Sequence, residues 1–539
     1  MALKWLLLGG LALLIFSVCV LAMVPPVSKD ALVHHLAVPK LYLEHGGIYE
    51  IPSMVFSYYP MNVDLLYMIP LYFGNDVVPK LIHFVFALLT AWLMFGYLKR
   101  RSNTLYALFG VIFFLSTPIV LKLSITAYVD LGLIFFSTAS LLLLLKWSEN
   151  GFRLRFLILS AVFCGLAMGT KYNGLISFFL LSLFATFICS RYDQGSKQGL
   201  FGAMGYGLIF ASIALLVFSP WMIRNIIWTN NPIYPLYDHW FNPPHGEAQS
   251  SAGSFAFRAL IYHESWWQIA LLPVRIFFQG QDGIPQYFDG KLNPFLLLLP
   301  ITAFLWRREG AQGLKREKKV LLAFAVLFFA LAFFRTDLRI RYISPIIPPL
   351  ILLSVLGIKD IMDGVGDLKG RATGRAVTIL LLSVLTVALA LNARYFFEQF
   401  RYVEPFPYLR GHVSRDAYIS KYRPEYPALQ YIDRHLPSHA LVLFIFVGNR
   451  GYYCERDYIF GEDLMGEVFL ASKSPEEMVC VLRGKGITHL LIYERLFEKW
   501  IRDNLSDGDR HVVKEFFKKY VRVLYHEKGF SVTALENSL

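Results

Sequence analysis

Eleven apolar runs constrain this chain more than anything else in it. They lie at about 3–24, 79–98, 104–121, 127–146, 154–169, 173–190, 200–220, 292–306, 319–334, 342–358 and 376–393. A helix needs about 20 apolar residues to cross the hydrocarbon core of a bilayer, and a shorter run suffices when its ends snorkel. The composition agrees, at 56% hydrophobic and 17% charged, which is too apolar for a soluble surface. The expected fold is a polytopic α-helical membrane protein of about 11 transmembrane helices.

With the N-terminus inside, the cytoplasmic loops are Lys99-Arg100-Arg101, 146–155, 191–197, 307–319 and 359–375. Each is basic or holds a basic cluster, as the positive-inside bias requires. Much of the net charge of +13 therefore fixes orientation, and it does not point to nucleic acid. The first run follows a single Lys4 and resembles a signal peptide. No small-x-small site precedes Pro25, and more spans follow, so it reads as an uncleaved first helix. The runs 154–169 and 173–190 are separated only by Thr170-Lys171-Tyr172. Read as one helix they would invert every later loop, so charge bias selects two.

An odd number of spans places residues 394–539 outside. The expected division is a transmembrane domain, 1–393, and a linker with a small extracytoplasmic α/β domain, 394–539. In the latter, 428–436 and 475–483 read as helices and 440–447, 488–493, 520–525 and 530–535 as strands. There is no GxGxxG turn or GxxxxGK[ST] loop, hence no nucleotide site. Cys454 and Cys480 fall in this part, where a disulfide requires an oxidising compartment. Outside the spans, 32–45 and the Pro-broken stretch 63–73 read as interfacial helices. The loop 221–291 is rich in Pro, Asn, Trp and Tyr, residues suited to headgroup depth. No internal repeat stands out.

This topology gathers ionisable residues at one face: Asp30 after span one, Asp130 opening span four, Lys171 between spans five and six, and Arg224 after span seven. Arg335, Asp337, Arg339 and Arg341 lie between spans nine and ten, with Tyr342 beside them. Charges at membrane depth are costly and face a cavity, a partner or an ion path. Each also has a plain structural reading. Asp30 suits a helix cap before Ala31, Asp130 an interfacial cap, Lys171 and Arg224 snorkelling anchors, and Arg339 to Tyr342 a headgroup anchor. His34 and His35 beside one carboxylate lack a metal-ligand spacing.

Together, two carboxylates and several cations suit transfer of a sugar held on a membrane lipid through phosphate. Cations would neutralise the leaving phosphate, and a carboxylate would take the proton of the attacking hydroxyl. Here the sequence resembles a family. Asp30-Ala31-Leu32-x-x-His35-Leu36-x-x-Pro39 is similar to the start of GT-C class membrane glycosyltransferases that use polyprenyl-phosphate sugars. The likeness is nearest to relatives of bacterial protein O-mannosyltransferases and of the lipid A aminoarabinose transferase. Ala127 to Leu131, Gly169 to Gly174, Pro220-Trp221-x-x-Arg224-Asn225 with the following Asn231-Pro232-x-Tyr234-Pro235, and Arg341-Tyr342-x-x-Pro345 continue it in order over about residues 1–350.

The resemblance implies Asp30 as the catalytic acidic residue of the first loop and Arg341 as part of the carrier-phosphate site. Less directly it implies Asp130 in catalysis and Lys171, Arg224, Arg339 and Tyr342 in substrate binding. Many relatives carry adjacent acidic residues where Lys29 precedes Asp30, so a mechanism without metal or other cofactor is expected. The expected activity is inverting transfer from a polyprenyl phosphate to a hydroxyl of a glycan, lipid or protein, at the outer face of a bacterial inner membrane. A lipid-linked glycan flippase, or a ligase or polymerase using a diphosphate carrier, are the rivals.

Overall fold

The protein is described by a computed structural model over residues 1–192, 199–243, 254–305, 312–333, 338–365, 371–461 and 464–536. Arg335 and Asp337 lie outside the described residues. The chain forms two compact units, one of Met1–Val24 with Tyr58–Pro405, the other of Pro25–Ser57 with Phe406–Leu539. This division does not follow the expected boundary at 393/394. The final long helix, Arg371–Val403, carries the first unit past it, and the first loop groups with the C-terminal residues.

The first unit is helical, and each of the eleven apolar runs carries helix. Length and composition alone qualify seven helices as spans: Ala2–Ala22, Val78–Arg101, Asp130–Glu149, Gly174–Tyr192, Leu200–Thr229, Ile340–Val365 and Ala372–Val403. An eighth is the pair Thr104–Ser116 and Pro118–Ser124, bent by 66°. The bend sits where Pro118, at the first position of the second helix, lacks the N–H that would continue the ladder. Leu154–Met168 and Phe295–Phe304 are shorter apolar helices. Gln312–Phe333 is 22 residues long but charged through its first turns. The count of eleven spans therefore exceeds what length and composition qualify.

Leu154–Met168 and Gly174–Tyr192 are separate helices, as the charge bias required. Gly174 lies so close to the preceding turn that a Cβ there would sit 2.5 Å from the Ala167 carbonyl. Small and polar residues join the helices, as expected where lipid removes the hydrophobic drive between them. Ser140 and Ser160 each donate to the other's carbonyl at 2.7 Å, and Ser137 meets Ser177 at 2.9 Å. At one end of the unit Arg101 pairs with Glu149 and Glu317, Tyr97 donates to Glu317 at 2.6 Å, and Lys318 pairs with Asp360. These are the ends that carry the basic loops. The candidate site residues of this unit lie at the opposite end.

The second unit contains a five-stranded sheet: β1 Leu441–Ile445, β2 Asp457–Phe460, β3 His489–Tyr493, β4 Val521–Glu527 and β5 Phe530–Leu535, in the order β2-β1-β3-β5-β4. β2, β1 and β3 are parallel, and β5 runs antiparallel to β3 and β4. Lys528 and Gly529 both take positive φ between β4 and β5, the twist a two-residue hairpin favours. Leu443, Ile445, Leu490 and Ile492 pack with Leu482, Phe497 and Phe516 in the core. Four strands match the sequence expectation. β2 was not expected, being four residues with a charged start. Cys454 and Cys480 are free thiols, the first buried and the second exposed, and burial pushes the Cys454 thiol up to about 12.

Candidate active site

In the membrane unit the site is built where Asp130–Glu149 begins. Asp130 occupies the first helical position without capping the helix, so its carboxylate is available to a neighbour. Oδ1 accepts from Lys171 Nζ at 2.6 Å, while Asp130 is wholly buried. Oδ2 has no hydrogen-bond partner among the described residues. Lys171 lies 5.1 Å from the Tyr342 ring centre. The Arg341 guanidinium sits between two rings, 5.2 Å from Tyr128 and 5.3 Å from Tyr342, cation–π placements that suit a planar cation.

The short turn before Gly174–Tyr192 ties these elements together. Lys171 reaches Asp130, Tyr172 donates to the Tyr234 carbonyl at 2.8 Å, and Asn173 donates to the Tyr342 carbonyl at 3.1 Å. Gly169 lets the Asn62 side chain pack against the start of this turn, since a Cβ would meet its amide nitrogen at 2.2 Å. His83 fixes the entry to the Asp130 helix. Its Nδ1 lies 2.9 and 2.8 Å from the Leu123 and Thr126 carbonyls, while Nε2 accepts from the Leu131 N–H at 2.9 Å. That pattern suits the tautomer with its proton on Nδ1.

Arg224 lies beside this group rather than inside it. It donates to the Tyr58 and Tyr59 carbonyls at 2.5 and 3.2 Å and lies between Trp221 and Trp228, 4.6 and 4.8 Å from their ring centres. Asn225 donates to the Tyr172 hydroxyl at 3.1 Å, linking Arg224 to the turn of Lys171. Arg339 is drawn to a second ionic group, 3.5 Å from Asp289. Lys122 bridges Asp282 and Asp289, each at 3.1 Å, and Tyr395 donates to Asp282 at 2.7 Å. Burial opposes ionisation of Asp289, but Lys122 and the Gly283 amide outweigh it and hold the carboxyl below its ordinary range. The Ile340 N–H bonds the Phe288 carbonyl at 2.9 Å, so this loop also braces the Arg341 backbone.

Asp30 belongs to the second unit. It precedes a π-helical turn, Ala31–His35, in a helical conformation and makes no side-chain cap to it. The capping alternative is therefore not what the structure shows. Single π turns inside helices are frequent at functional sites. His34 stacks on Phe56 at 4.5 Å. Among the described residues no group of three or more His, Cys, Asp or Glu side chains is placed to hold a metal ion.

Asp130, Lys171, Arg341 and Tyr342 are thus brought together, with Arg224 and Arg339 in flanking networks. Sequence reasoning missed His83, Lys122, Asp282 and Asp289. It also missed the buried triad in which Glu264 accepts from Arg258 at 2.7 and 2.9 Å and from Arg275 at 2.9 Å.

Residues 69–224 match the family of dolichyl-phosphate-mannose-protein mannosyltransferases. The fold is similar to that of ArnT from Cupriavidus metallidurans in the apo state, with a TM-score of 0.59 at 13% identity over 99% of this chain and 98% of that one. The chain shares the ArnT fold over nearly its whole length. The same ArnT bound to undecaprenyl phosphate aligns with this chain at a TM-score of 0.57 and 16% identity, over 99% and 98% of the two chains. The oligosaccharyltransferase AglB from Archaeoglobus fulgidus, in complex with an inhibitory peptide and a dolichol-phosphate, aligns at 0.51 and 10% identity, over 98% of this chain and 74% of that one. No curated protein matches this chain by sequence.

Proposed function

We propose that this chain is a glycosyltransferase that moves a sugar, with inversion, from a polyprenyl-phosphate carrier to a hydroxyl of a glycan, lipid or protein at the outer face of a bacterial inner membrane. The observation that carries the proposal is the buried Asp130–Lys171 pair beside Arg341 and Tyr342. It offers cationic donors for a phosphate and one buried carboxylate oxygen that has no hydrogen-bond partner among the described residues. An ArnT of the same fold binds undecaprenyl phosphate, which supports this class of carrier.

In the proposed reaction the acceptor oxygen forms a bond to the anomeric carbon as that carbon's bond to the phosphate oxygen breaks. The leaving phosphate takes the bonding pair, and Lys171 and Arg341 offset its growing charge. Asp30 accepts the hydroxyl proton late in the step, when that proton has become acidic. Asp130 orients Lys171 and offers Oδ2 to the substrate, Tyr342 packs beside both cations, and Arg224 and Arg339 bind substrate from the flanking networks. The 394–539 region is proposed to lie in the periplasm and to meet the acceptor.

Binding of undecaprenyl phosphate to purified variants tests the division of labour. Asp30→Asn keeps carrier affinity and loses turnover about a hundredfold or more. Arg341→Gln weakens carrier binding itself. Unchanged affinity in Arg341→Gln makes that residue an anchor only, and near-normal turnover in Asp30→Asn removes it as the base. We further propose that no metal takes part: turnover persists after dialysis against EDTA, and a loss restored by a divalent cation contradicts this.

A further inference from the structure

The Asp30 turn is held from both sides by residues of the C-terminal sequence. Ahead of it, the Pro26 carbonyl accepts from the Tyr453 hydroxyl at 2.8 Å. The Val27 carbonyl accepts from Arg423 twice, through Nε at 2.5 Å and through Nη2. Behind it, the Leu32 carbonyl accepts from the Tyr452 N–H at 3.2 Å. Further on, Lys40 reaches the Tyr452 and Cys454 carbonyls, both at 3.2 Å, and Glu455 at 2.8 Å. All of these residues lie within one compact unit.

The gripping residues have a firm base. Arg423 closes the Arg415–Tyr422 helix, its N–H bonded to the Ile419 carbonyl at 2.8 Å. The buried Glu425 pairs with Arg450, and the Tyr426 ring meets that of Tyr453 edge-on at 5.2 Å. The turn they hold is buried at Ala31, Leu32, Val33 and His35, and Asp30 makes no side-chain cap to it. A charged fork on one carbonyl, three residues before Asp30, is a strong directional tether.

We propose that Arg423, with Tyr452 and Tyr453, positions Asp30 for proton transfer, so that the C-terminal sequence is part of the catalytic apparatus as well as an acceptor-binding candidate. This rests on the reading of Asp30 as the base. Arg423 is a positioning residue and need not touch substrate.

The full-length protein in lipid nanodiscs is compared with Arg423→Ala, Arg423→Lys, Tyr453→Phe, Asp30→Asn and the double variant Asp30→Asn/Arg423→Ala. Two readouts are used: amide hydrogen exchange, and turnover of an undecaprenyl-phosphate sugar that the wild type consumes. In Arg423→Ala the amides of residues 28–36 exchange at least about tenfold faster while β3 stays protected. The kcat falls roughly tenfold to a hundredfold with KM for the carrier substrate nearly unchanged. Arg423→Lys, which keeps a cation without the fork, recovers part of the loss, and Tyr453→Phe shows a smaller one. The double variant is no slower than Asp30→Asn alone, because the two act through one group. A general weakening of the fold would instead expose β3 and add to the Asp30→Asn defect. Unchanged exchange at 28–36 overturns the proposal, as does normal turnover in Arg423→Ala when Asp30→Asn is inactive. Normal turnover in Asp30→Asn overturns the base assignment, and the positioning role with it.

Discussion

At the scale of the residue, the Asp130–Lys171 pair decides how the membrane unit tolerates its charges. A buried carboxylate without its partner costs about 3–5 kcal/mol, although replacing both partners with neutral groups can be nearly free. Lys171→Met is therefore expected to lower thermal stability in detergent markedly, and Asp130→Asn/Lys171→Met to regain most of it. A double variant as unstable as the single one would show that the pair does not carry this energy. Both residues were legible in the sequence because they interrupt apolar runs. Their partnership was not, since only the turn of Gly169 to Gly174 brings them together. His83 and Lys122 were illegible for the opposite reason. Each sits within or at the edge of an apolar run, and its carbonyl or carboxylate partners are far along the chain.

At the scale of the element, the bend at Pro118 and the loop of Asp282 and Asp289 show how a broken helix serves a site. The bend carries Lys122 on its own short helix, and the loop answers with two carboxylates. The segment between the apolar runs 200–220 and 292–306 has a comparable lock in Arg258, Glu264 and Arg275. Burial opposes ionisation of Glu264, but the two arginines outweigh it and hold its carboxyl below the usual glutamate range. A depressed carboxyl contributes stability above its unfolded pKa of about 4.3 and loses it as pH falls through the lower folded value. Amides of residues 258–288 are thus expected to open to hydrogen exchange as pH falls below about 4, and Glu264→Gln to flatten that dependence. An acid response identical in wild type and Glu264→Gln would refute the lock. The sequence showed this segment only as aromatic loop, because its ion triad follows no period.

At the scale of the whole molecule, hydropathy and charge bias were enough to read the helices, their order and the gathering of basic loops at one end. The C-terminal strands of period-two or continuous apolar character were legible too. The grouping of residues 25–57 with 406–539 was not, because it rests on backbone carbonyls meeting Arg423, Tyr453 and Lys40 across roughly four hundred positions. Backbone acceptors leave no trace in side-chain pattern. The proposed orientation predicts that a cysteine placed at Lys171 or Arg341 reacts with an impermeant reagent from outside intact cells, whereas one at Arg100 does not; the reverse pattern would invert the topology. The most direct test of the central claim is transfer by the reconstituted protein from a panel of labelled undecaprenyl-phosphate sugars, with membrane extract as acceptor and Asp30→Asn alongside. The account predicts release of carrier phosphate, label in a product of inverted anomeric configuration, and loss of both by about a hundredfold or more in the variant. Labelled carrier crossing the bilayer unchanged, or transfer undiminished in Asp30→Asn, would contradict it.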